Sequence, residues 1–247
     1  MYMYAYKQGT QGGKALIHAL DGKMIRHEKS HFIGHPAKTV INWGSVYLPA
    51  QVAACRIINR NVSACVDKLA FFTDMKDTGL CPAFTTSKEE AQAWADNRTV
   101  VCRTLLSASG GRGIVLAKSP DQVVPAPLYT RYVPKDKEYR IHFFKWEDAY
   151  FAQRKALRRD EHRPAQPNWA VRNHANGFIY AHEGVETPDN VIDAARVTIN
   201  TMKLDFGAVD VLYTKNKRAV VLEVNTAPGL EGWTLEGYTR AFKELPA

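Results

Sequence analysis

Residues 206–230, FGAVDVLYTKNKRAVVLEVNTAPGL, set two apolar segments on either side of the polar turn Lys215-Asn216-Lys217-Arg218. The pattern reads as an antiparallel hairpin. With the turn centred between Asn216 and Lys217, Asp210 lies opposite Glu223, their Cβ atoms about 5 Å apart on one face. Asn225, two positions past Glu223, points to that same face by the period of a strand. Two carboxylates among Val, Ala and Leu repel each other and resist desolvation unless a cation or a shared proton compensates. A divalent ion resolves the conflict, because two carboxylates and an amide oxygen are the hard donors that Mg²⁺ takes while it keeps waters and bridges phosphate oxygens. The plainer alternative is a solvent-facing sheet surface on which acids alternate with core residues. A glycosidase acid pair would need a water or sugar between the carboxylates and no amide ligand beside them.

Upstream, Thr99–Arg103 and Ile114–Ala117 read as strands joined by a Ser- and Gly-rich loop. In that loop Ser107, Ser109, Gly110, Gly111, Arg112 and Gly113 can turn several backbone amides toward one anion. Phosphate is the natural guest, although no G-K-[ST] follows and the loop lies between strands instead of opening a helix. Before it, Lys68–Thr78 has Leu69, Phe72 and Met75 at a spacing of three, closed by Gly79 and Pro82. A second helix starts at Thr86-Ser87-Lys88-Glu89 and runs to Ala95. The N-terminal stretch reads as a small α/β unit. It has a strand at Tyr4–Lys7, breaks at Gly9, Gly12 and Gly13, a helix at Lys14–Leu20 and a strand at Thr39–Trp43. His27-Glu28-Lys29-Ser30-His31 fits the zinc pattern H-E-x-x-H, but Asp21-Gly22 before it and Gly34-His35-Pro36 after it argue against the continuous helix that pattern needs.

Length and composition bound the rest. With 247 residues, 45% of them apolar, the chain can bury a core without disulfide or metal staples, and 23% charged residues exclude a disordered or collagen-like polymer. No apolar run reaches the roughly 20 residues of a membrane span, and the start MYMYAYKQGTQGGK lacks the order of a signal peptide, so a cytoplasmic, membrane-free protein is expected. Cys55, Cys65, Cys81 and Cys102 match neither a redox pair nor a zinc knuckle and read as free buried thiols. A net charge of +8 suits an anionic partner, whether phosphate, acidic peptide or nucleic acid.

Taken in order, these motifs resemble the ATP-grasp superfamily and, within it, the RimK-type carboxylate-amine (glutamate) ligases. The resemblance spans Lys68 before its helix, Val100-Val101-Cys102-Arg103 with Gly110-Gly111-Arg112-Gly113, the strand Leu128–Val133 and Lys137-Glu138-Tyr139-Arg140. It continues through Arg154, Arg172-Asn173 with Gly177, Asp210 and Glu223-Val224-Asn225-Thr226-Ala227-Pro228-Gly229, the most specific run.

An α/β (α+β) ATP-grasp fold is thereby implied: a small N-terminal α/β domain over 1–66, a central lobe with the Gly-rich loop over 67–128, and a C-terminal lobe with the metal site over 129–247. ATP would be sandwiched between the last two. The implied cofactors are ATP and Mg²⁺, or Mn²⁺ in its place. Asp210, Glu223 and Asn225 would hold the metal. Lys68, Arg103, Gly110, Gly111, Arg112 and Gly113 would hold the nucleotide, with Arg131, Tyr132 and Val133 at adenine and Glu138 at the ribose. Arg140, Arg154, Arg172 and Asn173 would surround the transferred phosphoryl group. Arg103 stands where the family has Lys, and its planar fork is not a lysine point charge.

The implied reaction joins a small-molecule or peptide carboxylate to an amine through an acyl phosphate, in a chain free to form a homo-oligomer through ordinary surface patches. Three alternatives are an ATP-grasp kinase (phosphotransferase), a basic nucleic-acid or ribosome-binding module, and a nucleotide-binding protein without catalysis.

Overall fold

The computed structural model describes residues 1–8, 10–108 and 110–246, with the backbone alone for Glu147. Gly9 and Ser109, given roles above, lie outside the described residues. The described residues build three sheets in turn. The first holds β1 (Tyr2–Ala5), β2 (Lys23–Met24), β3 (Thr39–Trp43) and β4 (Arg56–Ile58), all parallel, in the order β2-β1-β3-β4. Between β1 and β2 runs α1 (Gln11–Ala19), which starts before the expected Lys14. Gly12 and Gly13 lie inside this helix instead of ahead of it. A methyl group at Gly13 would meet Thr10 Cγ2 at 2.9 Å and Met3 Sδ at 3.1 Å, so glycine serves the close packing of helix on strand. Residues 27–31 form no helix, and Lys29 has φ +50, which removes the geometry that an H-E-x-x-H zinc site requires.

Next come α2 (Ser63–Val66) and α3 (Lys68–Met75), the latter capped by Asp67 Oδ1, which accepts from Ala70 N at 2.9 Å. A 3-10 turn, Lys76–Thr78, and Gly79 at φ +69 end it where the glycine was expected to. Helix α4 (Lys88–Ala95) is capped by Ser87 Oγ, which accepts from Glu90 N at 3.1 Å. The second sheet, antiparallel, holds β5 (Phe84–Thr85), β6 (Val100–Arg103), β7 (Ile114–Ala117) and β8 (Leu128–Arg131) in the order β5-β8-β6-β7. A boundary between residues 128 and 129 therefore runs through β8, which pairs with both β5 and β6. The chain crosses to the third sheet at residues 132–136.

That third sheet holds β9 (Lys137–Phe144), β10 (Ala149–Leu157), β11 (Phe178–Ala181), β12 (Phe206–Tyr213) and β13 (Ala219–Asn225), antiparallel in the order β11-β10-β9-β12-β13. On one face, Tyr139, Ile141, Val209 and Val211 pack with α3 and with α5 (Asp189–Thr201) in the largest apolar cluster. At the far end of the other face, Phe144 and Phe206 join Trp43 and the Tyr238 and Phe242 rings of α6 (Trp233–Lys243). Polar bonds fix the first sheet to the third. Asn59 Nδ2 donates to the Phe206 carbonyl at 2.9 Å, Asn59 Oδ1 accepts from Asp205 N at 2.7 Å, and Asp205 Oδ2 accepts from Asn59 N at 2.6 Å. Asn59 holds φ +58 to do this, a conformation asparagine tolerates better than most residues.

All four cysteines are free; Cys55, Cys65 and Cys102 are buried as expected while Cys81 is half-buried, and burial pushes the Cys65 and Cys81 thiols up to about 12, which disfavours the thiolate. No helix among the described residues is long and apolar enough to cross a membrane.

Candidate active site

Asp210 and Glu223 are directly opposed across β12 and β13, as expected, but a β-bulge is needed to put them there. The turn is centred on Asn216: Thr214 N donates to the Arg218 carbonyl at 3.0 Å and Lys217 N to the Thr214 carbonyl at 2.9 Å. Pairing thus begins one residue away from the expected register, with Tyr213 opposite Ala219 and Val211 opposite Val221. Between Asp210 and Val211 the register shifts, and Leu222 becomes the extra residue. Without that bulge Asp210 would face Leu222. Bulges re-aim side chains in this way beside functional sites.

The protein's own cations compensate both acids. Arg140 on β9 forks onto Asp210, Nε to Oδ1 at 2.7 Å and Nη2 to Oδ2 at 2.8 Å, and Lys68 at the start of α3 pairs with Glu223. Asn225 Nδ2 donates to Glu223 Oε1 at 3.2 Å. Burial pushes the Asp210 carboxyl up from its ordinary value against the pull of Arg140, while Arg140 rises above its own through Asp210 although burial works to lower it. Glu223, against the upward push of burial, is held at about 2 by Lys68 and Arg140.

These groups open into a cleft of about 450 Å³ between the second and third sheets. Lys68, Arg103, Gly110, Gly111, Arg112, Arg131, Tyr132, Val133, Glu138, Arg140, Arg172, Asn173, Asp210 and Glu223, all chosen from sequence, line it. Two candidates do not. The Gly113 carbonyl is turned back to accept from Thr104 N at 2.8 Å, and Asn225 touches the site through Glu223 alone.

A third candidate, Arg154, is placed on the wrong side of the sheet. It pairs with Tyr139, which belongs to the core face, so the strand's period of two carries its neighbour Lys155 into the cleft instead. Sequence reasoning missed Lys155, Lys135 and Tyr180. Lys155 pairs with Glu138, and Lys135 Nζ lies 3.2 Å from Glu138 Oε2, so this nearly fully buried carboxylate sits between two ammonium groups. Tyr180 lies under Arg140, with its ring centroid 4.2 Å from Cζ. Extending the period of two from Glu138 and Arg140 to the partner strand would have found Lys155.

Among the described residues, eight Lys and Arg side chains against three acids line the cleft, which gives it a net positive lining that favours anions. Two of the cations carry unmet donors: Arg103 Nε and Arg172 Nε are buried without a hydrogen-bond partner among the described residues. Burial also lowers the Arg103 pKa, with Glu223 opposing. Buried N–H groups of this kind call for an acceptor. Across the cleft, Asn173 Nδ2 donates to the Gly110 carbonyl at 2.8 Å, tying the Gly-rich loop to the segment before β11.

His142, one strand period beyond Arg140, is a satisfied core histidine. Its nitrogens meet Gln153 Oε1 at 3.0 Å and the Tyr238 hydroxyl at 3.2 Å, and its ring stacks on Phe151. Burial drives its pKa down to about 3. The folded protein therefore holds it neutral while the unfolded chain protonates it below about 6.5, so its contribution to stability is complete above that pH and is lost as pH falls toward 3. Between pH 6 and 4 the wild type should lose about 1.4 kcal/mol per pH unit more than a His142→Gln variant in urea unfolding; parallel pH profiles would contradict this.

No family model matches the sequence, and no curated protein sequence matches it. Solved structures do. The ATP-grasp ligase PsnB, in complex with a minimal precursor, Mg and ADP, superposes with a TM-score of 0.64 at 12% identity, over 96% of this chain and 91% of that one. D-alanine–D-alanine ligase from Bacillus anthracis gives 0.64 at 12% identity, over 98% and 94%. A RimK domain ATP-grasp protein from Sphaerobacter thermophilus gives 0.62 at 13% identity, over 98% of both. Likeness over the full length at such low identity speaks to architecture, and on that ground the chain carries the ATP-grasp fold.

Proposed function

We propose that this protein is an ATP- and Mg²⁺-dependent ligase that joins a carboxylate to an amine, with its three sheets serving as an N-terminal domain, a central lobe and a C-terminal lobe. The observation that carries the reading is the cleft itself. An opposed acid pair stands at one wall, and arginines with unmet donors stand around it. The donor set suits a hard divalent cation, because Asp210 and Glu223 offer oxygen alone and Asn225 would add its amide oxygen, and every carboxylate oxygen except Asp210 Oδ2, which both Arg140 and the Tyr180 hydroxyl reach, keeps a second lone pair beside its present bond. When bound, Mg²⁺ would screen the phosphates and act as a Lewis acid. That PsnB was solved with Mg, ADP and a precursor supports the same assignment and a peptide or small-molecule substrate here.

The chain's own residues would then divide the work. Arg131, Tyr132 and Val133 would bound adenine, and Glu138, fixed by Lys135 and Lys155, would face the ribose. Lys68, Arg103 and the amides of Gly110 and Gly111 would receive phosphate oxygens. Arg140 and Arg172 would stand where charge moves as a substrate carboxylate oxygen bonds to the γ-phosphorus and the β–γ bridging oxygen leaves with ADP. Amine attack on the acyl phosphate would form the amide, expel phosphate and release one proton. Fixed cations lining the cleft would do this by positioning and charge stabilisation.

The test is ADP release from ATP and Mg²⁺ in a screen of paired carboxylates and amines, including amino acids, polyamines and peptides. Release that requires both partners is expected. A stable phosphorylated product formed without an amine would make the protein a phosphotransferase, and ATP binding without ADP release in every pair would overturn catalysis.

A further inference from the structure

Tyr180 belongs to none of the motifs that mark the cleft, yet it lies against three of its charged groups, Arg140, Lys155 and Asp210. It lies on β11, the edge strand of the third sheet, directly opposite Lys155. From there its side chain crosses β10 to reach β9 and β12. The Arg140 guanidinium carbon stands 4.2 Å from the ring centroid, Lys155 Nζ stands 5.2 Å from it, and the hydroxyl reaches Asp210 Oδ2 at 3.4 Å. One ring thus touches both members of the Arg140–Asp210 pair.

We infer that Tyr180 is a positioning residue: its ring face fixes the plane of the Arg140 guanidinium so that the fork on Asp210 stays closed and the remaining nitrogen, Nη1, is presented to the ligand. The fork uses Nε and Nη2, so Nη1 is the group left for an anion. A guanidinium held at one edge alone can still rotate out of plane about its long side chain, and a π face beneath it removes that freedom. The hydroxyl, at 3.4 Å, is a weak contact and adds little. The inference rests on the ligase reading for its kinetic consequence only; the geometry of Arg140 stands apart from it.

The test compares Tyr180→Leu, which keeps bulk but removes the π face, with Tyr180→Phe, which removes the hydroxyl alone. Two readouts are taken. In ¹⁵N-resolved NMR, the Arg140 Nε–H resonance, identified by its loss in Arg140→Lys, should be shielded by the ring and slow to exchange in the wild type and in Tyr180→Phe. In Tyr180→Leu it should move downfield and broaden. In ADP release, Tyr180→Leu should lower kcat roughly tenfold, the order of a cation–π contact in a desolvated site, with KM for ATP near the wild-type value, and Tyr180→Phe should restore it. An Arg140 resonance unmoved in Tyr180→Leu would overturn the inference. So would a loss confined to KM, or a Phe variant as impaired as the Leu variant. Failure of the ligase reading would show separately, as no ADP release from the wild type, and the NMR comparison would still decide the role of Tyr180.

Discussion

Glu223→Gln is expected to lower Mg-ATP turnover by about 10²- to 10³-fold, the range seen when one preorganised charge-stabilising group is removed. Glutamine keeps the shape and one acceptor oxygen but abolishes the charge that pairs with Lys68 and that would attract a divalent ion. Because Glu223 is held at about 2, it is ionised at any working pH, so the substitution removes a full charge. Some stability should go with it: the group's folded pKa lies below its unfolded one, so its contribution is present above about pH 4.5 and is lost as pH falls toward 2. Assays well below the melting temperature, with circular dichroism to confirm the fold, separate the two effects. Turnover within tenfold of the wild type would remove Glu223 from the metal site.

Asp210→Asn should have the largest effect on stability, roughly 3–5 kcal/mol in urea unfolding, as well as a loss of turnover. From sequence alone, neutralising one of two adjacent acids relieves a repulsion. The structure reverses that expectation, because Asp210 is 5% exposed and engages both of its oxygens with Arg140. The substitution strands a buried guanidinium. If that is the cause, combining it with Arg140→Met should recover much of the loss, and the double-mutant cycle should show strong coupling. A single-variant cost under about 1 kcal/mol would mean that the pair contributes little.

Much of this site was legible before folding was considered, for identifiable reasons. Asp210 and Glu223 stand out because acids in otherwise Val- and Ala-rich strands violate the burial pattern, and a turn between them sets a register. That register came out right although the turn centre did not, since no sequence signal reveals the bulge at Leu222 that offsets it. Arg154 shows the opposite failure. The resemblance supplied a basic residue at about the right place, but a strand's period of two makes a slip of one residue a change of face, and Lys155 is the cation that enters the cleft. Tyr180 was invisible because its contacts span strands far apart in sequence, and Lys135 because it lies in the connection before β9, where no strand period assigns it a face although its partner Glu138 is close by in the chain. The N-terminal unit was legible as a class, while Gly12 and Gly13 were misread as breakers because close packing, like turning, selects glycine.

The central claim is that the opposed acids of β12 and β13 clasp a divalent ion beneath a nucleotide. The most direct measurement is a crystal structure grown with Mn²⁺ and a non-hydrolysable ATP analogue, with the ion located by its anomalous signal. The account expects a peak within coordination distance of Asp210 and Glu223, with phosphate oxygens on its open side. An ion bound elsewhere, or a nucleotide lodged outside the cleft, would contradict it.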